Sequence, residues 1–347
     1  MNEYMSADGL SLQDLVAREL LPLAAEEPRF IMSVSGGRDS ICLLYAAHEL
    51  FKKQQLQLVA FHVNFHLRGE DSNRDEEFVL KICRKLEVPC FVFSVSHRGK
   101  LSQEEARRHR LEASKPLWPG AWLLEAHHAD DQIETLLFRL LRGTGLSGLS
   151  GMKVNSQRED RRVVRPLLRV HRAQIEAYLD HLKIKFREDL TNAEDKYSRN
   201  WIRNKLLPRI EKRFPRARGS ILRLQSQILE EDEYFDAECE KIHRLAFTDS
   251  GGLRLTTLQS LPKALLKRYL HFYFRRERAV ILDRTQIQEL SQLIAWGTKF
   301  TWNAPQNWVV RLGRDGNLRC LKAKGRSLPQ RPPSPAKEKK GKVQAAG

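Results

Sequence analysis

At 347 residues, with 41% hydrophobic residues and a formal charge of +17, the chain is long enough for two domains with buried cores, which excludes wholesale disorder. No apolar run approaches the roughly 20 residues that cross a bilayer. Glu3 and Asp8 stand where a secretory leader needs a basic and then an apolar stretch, so no membrane association and a cytoplasmic setting are expected.

In chain order, four short β-type runs alternate with helical patterns over the first third: Phe30–Val34, Leu56–Phe65, Cys90–Val95 and Ala121–Glu125. The helical stretches between them are Asp39–Gln54, Asp71–Leu86 and Ser102–Lys115. That alternation predicts an α/β, Rossmann-like parallel sheet with helices on both faces. Ligands of such open sheets collect at the carboxyl ends of the strands, which brings residues 35–40, 64–70 and 126–131 to one crevice. Further helices are expected over Asp130–Leu141, Arg172–Lys183 and Arg199–Arg213, the last kinked or divided by Pro208. Between the first two lies a glycine-punctuated segment, residues 143–151, read either as a mobile loop or as a plain connector. The Phe214-Pro215 step marks a boundary. Beyond it, Gly219–Leu245, Leu258–Phe274 and Thr285–Ala295 read as helices, and Lys299–Trp302 and Trp308–Leu312 as short strands. The expected organisation is an α/β domain over 1–215, a smaller, mainly helical domain over 216–322, and a disordered basic tail over 323–347.

The charge is uneven. Residues 139–218 hold 21 Lys/Arg against 9 Asp/Glu, and residues 322–347 hold 8 Lys/Arg against Glu338 alone; the remainder is close to neutral. Concentrated positive charge implies a polyanionic partner, because neutralising phosphates releases condensed counterions. The five cysteines (Cys42, Cys83, Cys90, Cys239 and Cys320) form no C-x-x-C pair, so packed, reduced thiols are expected.

The segment Ser35-Gly36-Gly37-Arg38-Asp39-Ser40 lies between an apolar strand and an amphipathic helix. Paired glycines let the backbone turn sharply, and amides at the positive end of a helix cradle an anion. Ser35 and Ser40 add hydroxyl groups. A carboxylate among phosphates, Asp39, makes sense with a divalent cation between them. By itself the segment equally reads as a capped strand–helix turn. It resembles the PP-loop of the N-type ATP pyrophosphatase superfamily, whose members cleave ATP between the α- and β-phosphates and adenylate a carbonyl oxygen.

Other motifs narrow the resemblance. They are Asn64-Phe-His66-Leu67-Arg68, Glu105-Ala106-Arg107-x-x-Arg110, His127-His128-Ala-Asp130-Asp131-Gln132-Ile-Glu134-Thr135, Arg165-Pro166-Leu167-Leu168, Glu188-Asp189-x-Thr191-Asn192 and Arg199-Asn200-x-Ile202-Arg203. Together they resemble the tRNA(Ile)-lysidine synthetase family over residues 30–212. The resemblance implies that ATP adenylates the wobble cytidine of an isoleucine tRNA with a CAU anticodon. Free L-lysine then displaces AMP through its ε-amine, giving lysidine. Mg²⁺ is implied at Asp39 and Asp131. Asp131 and Glu134, three apart on one helix face, are candidates for recognising lysine. Arg107, Arg110 and Arg203 are candidates for stabilising charge on the pyrophosphate or the adenylated base. Zinc is rejected at His127 and His128 because no further ligands lie at workable spacing.

Two departures stand out. The family often has a histidine where this chain has Phe65, with His66 following. Many relatives also add another small domain after the helical one. The alternative within the superfamily is a PP-loop tRNA thiolase, which would need catalytic or cluster-binding cysteines. A homodimer is left open.

Overall fold

A computed structural model of the chain describes residues 10–95, 101–158, 161–187, 198–249 and 251–323. The chain divides into two compact units at Asp232/Glu233. The basic tail and the Glu188–Asn192 motif lie outside the described residues.

The first unit is built on a six-stranded sheet. Its strands are β1 (Arg29–Ser33), β2 (Gln57–Asn64), β3 (Cys90–Ser94), β4 (Trp122–Leu124), β5 (Asn155–Arg158) and β6 (Arg161–Val164), in the order β3-β2-β1-β4-β6-β5. All neighbours are parallel except the β5–β6 hairpin. The helices are α1 (Leu12–Ala24), α2 (Arg38–Gln54), α3 (Glu70–Lys85), α4 (Gln103–Ser114), α5 (Ala129–Arg142), α6 (Leu146–Leu149) and α7 (Arg172–His181). Alternate residues of β1 serve opposite faces. Phe30 and Met32 join the core that takes in α1, α2, α3 and α7, while Ile31 packs with Val59, Phe61 and Leu123 toward Leu111 of α4. Both faces are therefore covered, as the alternating sequence pattern predicts.

Strand order reverses between β1 and β4. That switch point leaves a crevice at their carboxyl ends, and α2 and α5 both start there. The unit continues through α8 (Ser198–Trp201), a π-helical turn over Ile202–Leu206, and α9 (Leu207–Arg213). Pro208 sits in the first turn of α9, where its missing N–H costs little. Ile202 and Leu207 pack against Ile133 and Leu137 of α5, so the segment carrying Arg203 is seated directly on the helix carrying Asp131 and Glu134.

The residue 143–151 segment folds as α6 and is held at its far end. Arg139 donates to the carbonyls of Gly148 (2.6 Å) and Gly151 (3.1 Å), and Gln132 exchanges two 2.7 Å bonds with the backbone of Met152.

The helix α10 (Ala217–Ala246) runs from the first unit into the second. The second unit adds α11 (Leu255–Gln259), α12 (Lys263–Arg278) and α13 (Arg284–Trp296). Its antiparallel sheet has the order β7 (Leu253–Arg254), β10 (Asn317–Lys322), β9 (Trp308–Leu312), β8 (Thr301–Ala304). Tyr269, Tyr273, Phe274 and Trp302 supply much of its core. Among the described residues no helix is long and apolar enough to cross a membrane.

Candidate active site

The loop after β1 is shaped from within. Gly36 adopts φ +85°, and a Cβ there would meet Val79 Cγ2 of α3 at 3.3 Å, so both the turn and the close approach require glycine. The carbonyl of Gly36 accepts from Arg187 N at 2.9 Å. Arg187 Nε is bonded in turn to buried Asp75 of α3 at 2.8 Å, and Arg68 meets the other Asp75 oxygen at 2.5 Å. Ser40 Oγ donates to Gly37 O at 2.9 Å and lies 3.2 Å from Ser35 Oγ. The two hydroxyls, expected as ligand donors, therefore close the loop on itself. The N–H groups of Arg38, Asp39 and Ser40 precede the first intrahelical bond, from Ile41 N to Gly37 O, and these are the groups a helix start offers to an anion. Arg38 turns away from the loop, its Nη1 donating to Glu176 Oε1 of α7 at 2.5 Å.

Across the switch point, α5 begins at His128. The backbone N–H of His128 donates to Asp131 Oδ2 at 3.0 Å, one half of a capping box. The imidazole is buried, with Nε2 3.7 Å from Asp39 Oδ2 and 3.5 Å from Asp131 Oδ2. Burial opposes its charge, but Asp130, Asp131 and Asp39 outweigh that and hold its pKa above the ordinary value. Arg203 donates to Glu134 through Nε (2.5 Å) and Nη2 (3.0 Å), and Nη2 also reaches Asp131 Oδ1 at 3.2 Å. Burial lifts the Glu134 carboxyl above its ordinary value against the pull of that fork.

Asp130 faces elsewhere. It accepts from Arg172 N at 2.9 Å and pairs with Arg218 at the start of α10. Despite burial, His128 and these two partners hold it far below the usual carboxylate range.

Asp39, Asp131 and Glu134 converge here with His128 and Arg203 among them, which makes this the carboxylate-bearing pole of the crevice. Asp39 Oδ1 is buried and accepts no hydrogen bond; its near neighbour is Arg38 Nε at 3.6 Å. No cage of three or more His, Cys, Asp or Glu side chains is formed among the described residues. Mg²⁺ does not require one, since it takes one or two carboxylates and completes its octahedron with phosphate and water oxygens. Asp39 and Asp131 fit that use.

A second pole is basic. Glu125, just past β4, meets Arg158 (2.8 Å), fully buried Arg165 (2.8 Å), His127 (3.4 Å) and Arg107 (3.8 Å). Arg110, one turn along α4 from Arg107, is exposed.

The structure thus gathers Asp39, Asp131, Glu134 and Arg203 around His128, and sets Arg107 apart with Glu125. It gives Ser35, Gly36, Gly37 and Ser40 the shaping of the loop and Arg38 a tie to α7. Sequence reasoning placed His128 and Arg165 in motifs without a role, and it did not single out Glu125. The partners of Glu125 are scattered over four segments, beyond any local pattern. His66 is exposed, its N–H bound by Asn64 Oδ1 at 2.9 Å, while Phe65 packs edge-on against His109. Cys42, one turn into α2, is fully buried, and burial followed by Asp39 pushes its thiol up.

Fold and loop together define a PP-loop nucleotide-binding protein: residues 11–210 match the PP-loop domain family, and residues 253–316 match the TilS substrate binding domain. A tRNA(Ile)-lysidine synthase of Chlorobaculum tepidum is 35% identical over 265 residues, covering 72% of this chain and 79% of that protein. The chain belongs to the tRNA(Ile)-lysidine synthase family. Another member, from Caldanaerobacter subterraneus, is 36% identical over 269 residues, 73% of this chain, and one from Bacteroides thetaiotaomicron is 32% identical over 256 residues, 71% of this chain. The chain spans only 56% and 58% of the length of those two relatives. Among solved structures, the U34-tRNA thiolase NcsA of Methanococcus maripaludis, with its [4Fe-4S] cluster, shares the fold. Its TM-score is 0.52 and its identity 17%, covering 63% of this chain and 78% of that one.

Proposed function

We propose that the chain uses ATP to join lysine to the wobble cytidine of the isoleucine tRNA with a CAU anticodon, releasing AMP and pyrophosphate. The observation that carries this reading is the convergence of Asp39 from the ATP loop with Asp131, Glu134 and Arg203 around His128. The names of the relatives and the matched substrate binding domain support the same substrate. A tRNA substrate in turn supports a cytoplasmic setting.

In this reading the amides at the start of α2 bind the phosphates of ATP. The cytosine O2 attacks the α-phosphorus and pyrophosphate leaves. Asp39 and Asp131 would hold Mg²⁺, which would supply offsetting charge to the phosphates when bound. Asp131 and Glu134 attract the lysine ammonium, and Arg203 fixes the orientation of both carboxylates. The carboxylate pair takes a proton from the ε-ammonium, the free amine bonds to the ring carbon, the carbon–oxygen bond to AMP breaks, and AMP leaves. Buried Cys42 gives a sulfur-transferring reading no support.

The test is ATP–pyrophosphate exchange with and without a tRNA transcript bearing CAU, followed by labelled lysine. Exchange that depends on this tRNA, with lysine entering it, supports the proposal. Exchange with no lysine entering tRNA refutes it.

A further inference from the structure

Four polar side-chain atoms at the basic pole are buried and make no hydrogen bond: Arg107 Nη2, Glu125 Oε2, His127 Nδ1 and Arg165 Nε. Buried polar groups are nearly always satisfied, so a concentration of exceptions at one place asks for a reason. Arg165 is 1% exposed and engaged inward, its Nη1 donating to Lys153 O at 2.8 Å and Ser156 Oγ at 2.9 Å while Nη2 lies 2.8 Å from Glu125 Oε2. Arg158 donates to Glu125 Oε1 at 2.8 Å. These two guanidinium groups already exceed the charge of one carboxylate.

Arg107 and His127 approach that carboxylate differently. Their inner nitrogens point at Glu125 Oε2 from 3.8 and 3.4 Å, and their side chains are 30% and 29% exposed. Arg107 stands in the first half of α4, the half at the carboxyl side of the sheet. His127 directly precedes His128, whose imidazole serves the acidic pole. Each therefore has one nitrogen turned toward Glu125 and part of its side chain open to solvent.

We propose that Glu125 is a positioning residue that orients Arg107 and His127 as a phosphate-binding pair at this end of the crevice. This rests on the function proposed above. The ligand class follows from charge and shape: Arg107, Arg158 and Arg165 meet one acid, Glu125, and a guanidinium turned to it by one edge presents its other edge to phosphate oxygens. The phosphate has two sources, the polyphosphate of ATP and the RNA phosphodiester beside the target nucleotide.

A double-mutant cycle on the full chain separates positioning from simple neutralisation of Arg165. Glu125→Gln, Arg107→Ala and the double variant are compared by Tm. They are also compared by Kd for the α,β-methylene analogue of ATP and, separately, for the CAU tRNA transcript. Glu125→Gln is expected to weaken one of these ligands about tenfold, the scale of one charge-assisted hydrogen bond, and the double variant to lose less than the product of the two single losses, because part of the Glu125 effect runs through Arg107 and the rest through His127. The affected ligand identifies the source of the phosphate. A lowered Tm with both Kd values unchanged, or losses that multiply in the double variant, would overturn the proposal. His127→Ala leaves the Glu125–Arg165 pair intact and is expected to weaken the same ligand; an unchanged Kd there also overturns it. Binding is read without lysine or turnover, so failure here is distinct from failure of lysine ligation.

Discussion

Asp131 accepts the N–H that starts α5 and shares Arg203 with Glu134, whereas Asp39 leaves one buried oxygen without a hydrogen bond. The two carboxylates on the α5 face are thus held in place, while Asp39 is a carboxylate proposed above as a ligand of Mg²⁺. Asp39→Ala is expected to lower pyrophosphate exchange by about 100-fold or more, the cost of losing one preorganised electrostatic group. Glu134→Gln should leave exchange nearly intact and raise the KM for lysine; equal loss of both steps would contradict this division. Glu125 gives a prediction in pH. Burial works to raise its carboxyl, but His127, Arg165 and Arg107 outweigh it and hold the pKa down to about 2. A carboxyl depressed below its unfolded value of about 4.3 contributes stability that is complete above that pH and lost as pH falls through the folded value. The Tm gap between the wild type and Glu125→Gln should be constant from neutrality to about pH 5 and close between about 4.3 and 2. A gap that ignores pH would contradict the assignment.

The elements that place these residues were legible to different degrees. Strands β1 to β4 and their helices follow from apolar runs and 3.6-residue periodicity, and the crevice follows from their alternation. The β5–β6 hairpin was not legible, because β6 is an internal strand that opens with Arg161-Arg162. Arg161 is nevertheless buried: it donates to the carbonyls of Lys115 (2.8 Å), Leu117 (2.5 Å) and Trp118 (3.0 Å) just past α4. Those acceptors lie more than forty residues away, beyond any local pattern. The helix α1 carried a readable signal, a Ser11/Asp14 capping box before buried Leu12, Leu15, Val16 and Leu20, yet Pro22 in its last turn breaks the helical pattern. The Gly-Gly turn was legible, and its support by Arg187, Asp75 and Val79 was not. Gly36→Ala should lower stability by about 1–2 kcal/mol through its left-handed backbone and the contact with Val79. It should also weaken binding of the ATP analogue. A variant with native Tm and affinity would show that the loop tolerates another conformation.

For the whole molecule, the positive charge between Arg139 and Arg218 runs through the segments that follow α5 and build the site, so the surface beside the chemistry suits a polyanion. The composition showed that asymmetry, but the pairing of Arg165, Arg203 and Arg218 with acids is a property of the fold. Arg158, Arg162, Arg172 and Arg187 pair with acids as well, so less of this charge is left uncompensated than the composition suggests. Transfer RNA affinity should fall steeply with salt, by about tenfold or more between 50 and 200 mM for even a few phosphate contacts. If residues 324–347 contribute, their deletion raises the KM for tRNA and flattens that dependence; an unchanged slope removes the tail from tRNA binding.

The most direct measurement is the mass of the wobble nucleoside in CAU tRNA after incubation with the protein, ATP and lysine. Digestion to nucleosides should yield cytidine heavier by one lysine less one water, only when all three are present and not with Asp39→Ala. Unmodified cytidine despite tRNA-dependent pyrophosphate exchange, or a gain in mass from sulfur instead, would contradict the proposed ligation.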